Sequence, residues 1–172
     1  MFFHFFSLSH LSPVIHDSWL QLDRDLVRAG AILHDVSKTA TILAREKAEA
    51  GEPVEHVSHP VLGGRVLRAR GLPEALAHVV ETHGEIDRAV FAVDKPLTES
   101  ELVCYADKRV TGTAVVSLAS RKADLSERYP EHVPWMNENF VLFEQVEVKI
   151  NRLLACGDVD VLLAPLLLQD IA

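Results

Sequence analysis

Cysteine, glycine and proline are all scarce in this chain of 172 residues, and their scarcity excludes several classes of protein. Only Cys104 and Cys156 are present, without CxxC or zinc-finger spacing, so neither a disulfide framework nor a cysteine zinc module is expected. Both lie in apolar runs, which predicts reduced core cysteines. With eight glycines and eight prolines, the composition is that of a folded protein and not of a low-complexity chain.

Positive charge is also in short supply. Seventeen Lys and Arg residues face twenty-five Asp and Glu residues, which gives a formal net charge of −8 at pH 7. A general attraction to nucleic-acid backbone or anionic lipid is therefore excluded, and we expect neither duplex nucleic acid nor a membrane as a partner. A nucleotide substrate remains compatible with this charge, because a bound metal ion can supply positive charge locally.

The first fifteen residues, MFFHFFSLSHLSPVI, are apolar and aromatic but lack a basic residue before the hydrophobic part. The uninterrupted run is too short for a membrane span, and the pattern does not match a secretory signal. We therefore expect a cytoplasmic protein.

Apolar residues at helical spacing are the strongest pattern in the sequence. Apolar stripes and capping residues predict an all-α, single-domain helical bundle of about seven helices over residues 1–172. The helices are expected at residues 21–35, 59–70, 73–83, 98–107, 114–128, 137–155 and 158–168. Polar residues 38–57 predict an exposed loop or a frayed helix, and residues 110–116 are the nearest candidate for a strand.

These helices divide the expected domain into three parts. Residues 1–20 form an atypical N-terminal segment, residues 22–128 the main core, and residues 137–172 the C-terminal helices. The C-terminal part is strongly apolar, which favours completion of the core and leaves a homodimer contact as the alternative.

Histidine and aspartate recur at the ends of apolar helices. In the stretch AGAILHDVSK, His34 and Asp35 end one such helix, and Asp107 ends the apolar run 102–106. His59 heads a further apolar stripe and His83 closes another. Buried carboxylates need a cation or a protonated neighbour, and neutral imidazoles with carboxylates suit a borderline divalent metal. The five side chains together predict a metal site, whereas His78 falls on the polar face of its helix.

These residues also carry a family resemblance. The stretch LVRAGAILHDVSK is similar to the His-Asp motif of the HD-domain metal-dependent phosphohydrolases, and ELVCYADKRV resembles their closing segment. Between them, HPVLGGRVLRARGLPEALAHVVETHGE resembles the subgroup that has two extra histidines. The resemblance covers roughly residues 22–128.

The resemblance implies an all-α fold and one or two divalent transition-metal ions, namely Mn, Fe, Co, Ni or Zn, with Mg as an alternative. His34, Asp35 and Asp107 match the core ligands, and His59 and His83 match the positions that complete a dinuclear centre, with His56 as a weaker rival of His59. Asp35 would then bridge two ions.

The first histidine of the family pattern has three candidates. His10, with Val14, keeps the local HxxxV pattern but lies closer to the His-Asp pair than is usual in the family. His16 and His4 are the alternatives. We take His10 as the preferred ligand.

The expected activity is that of a phosphomonoesterase or phosphodiesterase, which hydrolyses a nucleotide or other small phosphorylated molecule through a metal-activated water. Asp35 and Lys38 are the predicted catalytic residues, and Lys38, Lys108 and Arg109 are predicted to bind the substrate phosphate. The competing hypothesis is a regulatory module that keeps the fold and binds a nucleotide or metal without turnover.

Overall fold

The computed structural model describes residues 22–84 and 88–167. Most of this part is helical, and the predicted all-α class is confirmed. The helices are α1 (Arg24–Leu33), α2 (Lys38–Glu49), α3 (His59–Ala69), α4 (Glu74–Thr82), α5 (Glu99–Lys108), α6 (Leu118–Arg128), α7 (Val133–Leu153) and α8 (Val159–Leu167). A single 3₁₀ turn, Pro130–His132, precedes α7.

Capping contacts fix the first residues of two helices: α1, which ends just before His34 and Asp35, and α5, which contains Asp107. Asp23 precedes α1, and its side chain accepts hydrogen bonds from the backbone N–H groups of Asp25 and Leu26. Thr98 and Glu101 form a reciprocal capping box at the start of α5. These contacts satisfy N–H groups that an α-helix leaves unpaired, so both helices begin at defined residues.

The main core lies between α5 and the long helix α7. Phe140, Phe143, Val146 and Ile150 of α7 are buried, and residues 102–105 of α5 pack in the same cluster. The buried face of α7 is therefore part of this core. A smaller cluster between α3 and α4 contains Leu67, Leu76, Ala77 and Val80.

Two glycines allow the helices near the N-terminal half of the core to approach closely. A Cβ added to Gly30 of α1 would lie 2.6 Å from Cγ1 of Val79 on α4. A Cβ at Gly63 of α3 would lie 2.8 Å from Cγ1 of Val80. Both distances are far below van der Waals contact, so these positions require glycine if α1, α3 and α4 are to keep this packing.

A buried ion pair joins α5 to α7. Nζ of Lys149 donates to Oε1 of Glu101 at 2.5 Å and to the carbonyl of Val90 at 3.0 Å. The Lys149 side chain is 3% exposed and that of Glu101 0%. Because Thr98 bonds the other oxygen of Glu101, the pair is fully hydrogen-bonded, as buried charges require.

Some details differ from the sequence-based expectation, whereas the candidate strand at residues 110–116 is confirmed as a short hairpin. Residues 38–49 form the regular helix α2 instead of a loop or frayed helix, although none of its residues is buried. The strands β1 (Val110–Thr111) and β2 (Ala114–Val115) form an antiparallel pair around a turn in which Gly112 has φ +59°. Cys104 is buried as predicted, but Cys156 is exposed. None of the described helices is long and apolar enough to cross a membrane.

Candidate metal centre

Two histidines occupy equivalent positions at helix C-termini. His34 is the C-cap of α1 and His83 the C-cap of α4. Nδ1 of each ring bonds the carbonyl three residues earlier, that of Ala31 at 2.9 Å and that of Val80 at 2.6 Å. A carbonyl can only accept, so both Nδ1 atoms carry hydrogen. Nε2 is therefore the metal-facing nitrogen of each ring, in the arrangement that metal-binding histidines adopt.

Asp35 lies at the centre of the cluster. Its Oδ1 is 3.3 Å from Nε2 of His59 and 4.0 Å from Nε2 of His83, and its Oδ2 is 3.5 Å from Nε2 of His34. One ligand atom each from His34, Asp35 and His83 lies within 4.8 Å of the others, which is close enough for all three to bind one metal ion. Asp35 thus contacts three imidazoles from three different helices.

Asp107 in the last turn of α5 completes the group. Its Oδ1 lies 3.6 Å from Nε2 of His34, the same nitrogen that faces Asp35. The structure thus brings together all five side chains that the sequence pattern predicts to face inward: His34, Asp35, His59, His83 and Asp107.

Ser37 positions His59 and was missed by sequence reasoning. It is buried, and its Oγ donates to the backbone carbonyl of His59 at 2.5 Å. This bond fixes the first residue of α3 against the turn that follows Asp35. A serine after an HD pair has no distinctive pattern of its own, so the sequence carries no signal for this role.

The pKa values of His83 and His34 are shifted in opposite directions. Burial lowers the pKa of His83 from the ordinary 6.5 to about 4, so this imidazole is neutral at pH 7. Burial also disfavours the charged form of His34, but the hydrogen bond and negative charge of Asp107 outweigh it and raise the pKa of His34.

Both aspartates are held ionised. Burial would raise the pKa of each, but the hydrogen bonds of His59 and Lys38 keep the pKa of Asp35 well below its ordinary value. For Asp107, the charge of Lys108 and the hydrogen bond of His34 have the same effect on the pKa. The cluster thus offers carboxylate oxygens and backbone-oriented imidazoles, and this donor set fits a divalent cation, which competes with protons for the same atoms.

Two lysines flank the cluster. Nζ of Lys38 lies 2.7 Å from Oδ2 of Asp35, and its side chain is 55% exposed. Nζ of Lys108 lies 2.5 Å from Oδ2 of Asp107 and 5.5 Å from the ring centroid of Phe143. Both predicted substrate-binding lysines therefore adjoin the aspartates, one on each side.

Arg109 has a different role from the predicted one. Its side chain is 1% exposed, and its guanidinium donates to the hydroxyl of Tyr105, to Glu147 and to Asp160, as well as to the carbonyl of Val116. These contacts tie the end of α5 to α7 and α8. The prediction that Arg109 binds substrate is corrected, because its donors are already used inside the fold.

The remaining histidines divide into two groups. His4, His10 and His16, the three candidates for the first ligand, lie outside the described residues. His56, His78 and His132 are exposed, in agreement with the outward position predicted for His78. A ligand role for His10 stays a prediction.

Comparison with known proteins agrees with this site. The family model described as HD domain matches residues 2–111. An uncharacterised protein of Methanocaldococcus jannaschii is 25% identical over 146 residues, which cover 79% of each chain. A tRNA (cytidine(56)-2'-O)-methyltransferase of Picrophilus torridus is 24% identical over 106 residues, 56% of this chain but only 27% of that protein. No solved structure matches. The match of the family model over most of the chain shows that the protein belongs to the HD domain family.

Proposed function

We propose that this protein is a metal-dependent phosphohydrolase that acts on a small phosphorylated molecule, with a nucleotide as the preferred class. The observation that supports this most strongly is the position of Asp35, whose carboxylate faces the Nε2 atoms of His34, His59 and His83. Family membership supports a metal-dependent hydrolase in general terms. The reaction and the substrate are our inference from the site.

His34, Asp35, His59, His83 and Asp107 would hold one or two divalent ions, of which Mn, Fe, Co, Ni and Zn are the candidates and Mg the alternative. A bound ion supplies an acidified water and polarises the phosphoryl oxygen. The protein's own residues orient the site: the carbonyls of Ala31 and Val80 fix two rings, and Ser37 fixes the start of α3.

Lys38 and Lys108 are suited to bind the substrate phosphate. Lys38 begins α2 next to Asp35 and is open to solvent, so its ammonium can contact a phosphate oxygen without leaving the site. Lys108 is mostly covered and approaches from the Asp107 side. Substrate would therefore lie between two cations, which favours an anionic group over a neutral one.

The relatives give limited guidance on substrate. The name of the Picrophilus torridus protein refers to a ribose position of tRNA, but the matched region is about a quarter of that protein. The net charge of −8 disfavours a large nucleic acid. Ribonucleotides are therefore the first compounds to test, and tRNA is a useful comparison.

The proposal is tested by metal analysis of the purified protein, followed by assays with p-nitrophenyl phosphate, bis-p-nitrophenyl phosphate and a nucleotide panel in the presence of Mn, Fe, Co, Ni or Mg. We expect one to two equivalents of metal and metal-dependent phosphate release. Asp107→Ala should lose metal and turnover, whereas the exposed control His78→Ala should keep both.

Three results would contradict the proposal in different ways. Bound metal without turnover on any compound supports the regulatory-module alternative. Absence of metal contradicts both metal-based functions. Equal metal loss in Asp107→Ala and His78→Ala would show that the assignment of inward and outward side chains is wrong.

A further inference from the structure

Ser37 occupies a position where a serine ordinarily caps its own helix, but its hydroxyl does not do so. The residue is the N-cap of α2, and its side chain makes no capping hydrogen bond to that helix. Its Oγ instead donates to the carbonyl of His59 at 2.5 Å, across 22 positions of the chain. An N-cap serine stabilises its helix by accepting from backbone N–H groups. Here the hydroxyl serves a contact with a candidate metal ligand in place of that role.

The chain that leads into His59 offers it little support. Residues 52–58 belong to no helix or strand and are mostly exposed. Ser58, the N-cap of α3, makes no side-chain capping bond either. The hydroxyl of Ser37 is therefore the side-chain contact that holds the first residue of α3, in place of a local cap.

The same contact joins the main chains that carry two candidate ligands. Ser37 follows Asp35 by two residues, in a turn closed by a bond from the N–H of Lys38 to the carbonyl of Asp35 at 3.0 Å. Oδ1 of Asp35 lies 3.3 Å from Nε2 of His59. A hydroxyl that belongs to one main chain and bonds the other limits changes in this separation, as the outer contacts of a metal site do.

Close packing holds the start of α3 from the side of α4. Pro60, which follows His59, is buried. A Cβ added to Gly84, the residue after His83, would lie 2.7 Å from Cγ of Pro60. The main chain at His59 is thus restricted by two contacts, although the His59 side chain is 33% exposed.

His59 differs in this respect from the other two imidazoles of the cluster. The rings of His34 and His83 are each fixed by a backbone carbonyl. Among the described residues, no carbonyl accepts from the ring of His59, and His59 is not in the group of ligand atoms that lie within 4.8 Å of one another. Its position therefore depends on how its main chain is held.

We propose that Ser37 is a positioning residue for a second metal ion, because its hydroxyl holds His59 where it can bind that ion together with Asp35. The ion bound by His34 and Asp35 does not depend on this hydroxyl, since the ring of His34 is fixed by Ala31 and the turn at Asp35 by backbone bonds. The inference rests on the proposed function for the presence of metal.

The first test titrates Mn²⁺ alone into the chelator-treated full chain by isothermal titration calorimetry, which requires no turnover. The wild-type protein should show two binding events. Ser37→Ala should weaken the second about tenfold and change the first less than about twofold, in line with the loss of one outer contact of a metal ligand. Equal weakening of both events indicates a merely structural role and overturns the proposal, as does an unchanged second event or a single event in the wild-type protein.

Ser117→Ala is the matched control. Ser117 is also an N-cap serine, at the start of α6, but its Oγ does cap its helix by accepting from the N–H of Ser120 at 3.1 Å. The variant loses a helix cap and should keep both Mn²⁺ affinities. Comparison of the two variants separates the effect on metal from the general effect of removing a capping-position hydroxyl.

A second measurement does not require the metal-free variant to fold. The proteins are purified with Mn²⁺ and dialysed against metal-free buffer, and the bound manganese is then counted. Wild type and Ser117→Ala should retain about two equivalents and Ser37→Ala about one. Two equivalents in Ser37→Ala, or none, overturns the proposal.

The two proposals fail separately. A second Mn²⁺ that depends on Ser37, in a protein that hydrolyses no phosphate ester, contradicts the proposed function and supports the positioning role. Hydrolysis of phosphate esters by a protein whose Ser37→Ala variant binds both ions as tightly as wild type has the opposite meaning.

Discussion

The contribution of His83 to the stability of the metal-free protein should fall as the pH is lowered from 7.5 to 5.0. Its pKa is about 4 in the folded protein and 6.5 as the ordinary value, so the unfolded chain takes up a proton in this range that the folded chain does not. A state that binds more protons gains as the pH falls, and here that state is the unfolded one. The contribution of His83 therefore lowers the free energy of unfolding below about pH 6.5.

The size of the effect follows from the two pKa values. Each unit of difference corresponds to about 1.4 kcal/mol, and the part of the difference that lies above pH 5.0 gives a loss of about 2 kcal/mol. His34 acts in the opposite direction, since its raised pKa adds stability below pH 6.5 that is lost as the pH rises through its folded pKa. Asp35 and Asp107 have lowered pKa values, so their stabilisation is lost only as the pH falls below about 3.8.

The measurement is urea unfolding of chelator-treated protein at both pH values, for wild type and for His83→Gln, which does not titrate. Between pH 7.5 and pH 5.0 the wild-type protein should lose about 2 kcal/mol more than the variant. Taking the difference removes the contributions that the two proteins share. A difference below about 0.5 kcal/mol would refute the neutral, buried state of His83.

Two further predictions concern the packing that holds the site. Gly30→Ala should destabilise the protein by about 1 kcal/mol in urea unfolding, because the added Cβ would lie 2.6 Å from Val79, which outweighs the gain in helix propensity; equal or greater stability would contradict this close approach. Lys149→Met should cost about 3 to 5 kcal/mol, because it leaves Glu101 charged and buried without its partner. The double variant Glu101→Gln/Lys149→Met should recover most of this loss, and a single-variant loss under about 1 kcal/mol would contradict the burial of the pair.

Much of the fold could be predicted because most helices bury an apolar face. The stripe of α1 ends at His34 and Asp35, so the sequence predicts both the helix and the inward direction of the pair. Helix α2 was not predicted as a regular helix, since none of its side chains is buried and no apolar stripe marks it. The two-residue strands β1 and β2 are too short to show an alternating pattern.

The sequence predicted the histidines and aspartates of the site but not the structural role of Arg109. His34, His83 and Asp107 end apolar runs, where an ionisable group needs a reason to be present. Arg109 follows Asp107 by two residues, but a long side chain can reach several partners, and the sequence does not show that Glu147 and Asp160 lie within reach.

The spacing of the candidate ligands along the chain has a consequence for folding. His34, His59, His83 and Asp107 follow one another at intervals of 24 or 25 residues, and each lies at the end of a different helix. An ion bound to all four would cross-link the chain at four points, and closing such loops restricts the unfolded state much as disulfide bonds do. A chain without a disulfide between Cys104 and Cys156 would thereby have a reversible cross-link, which chelators could open and metal supply could close.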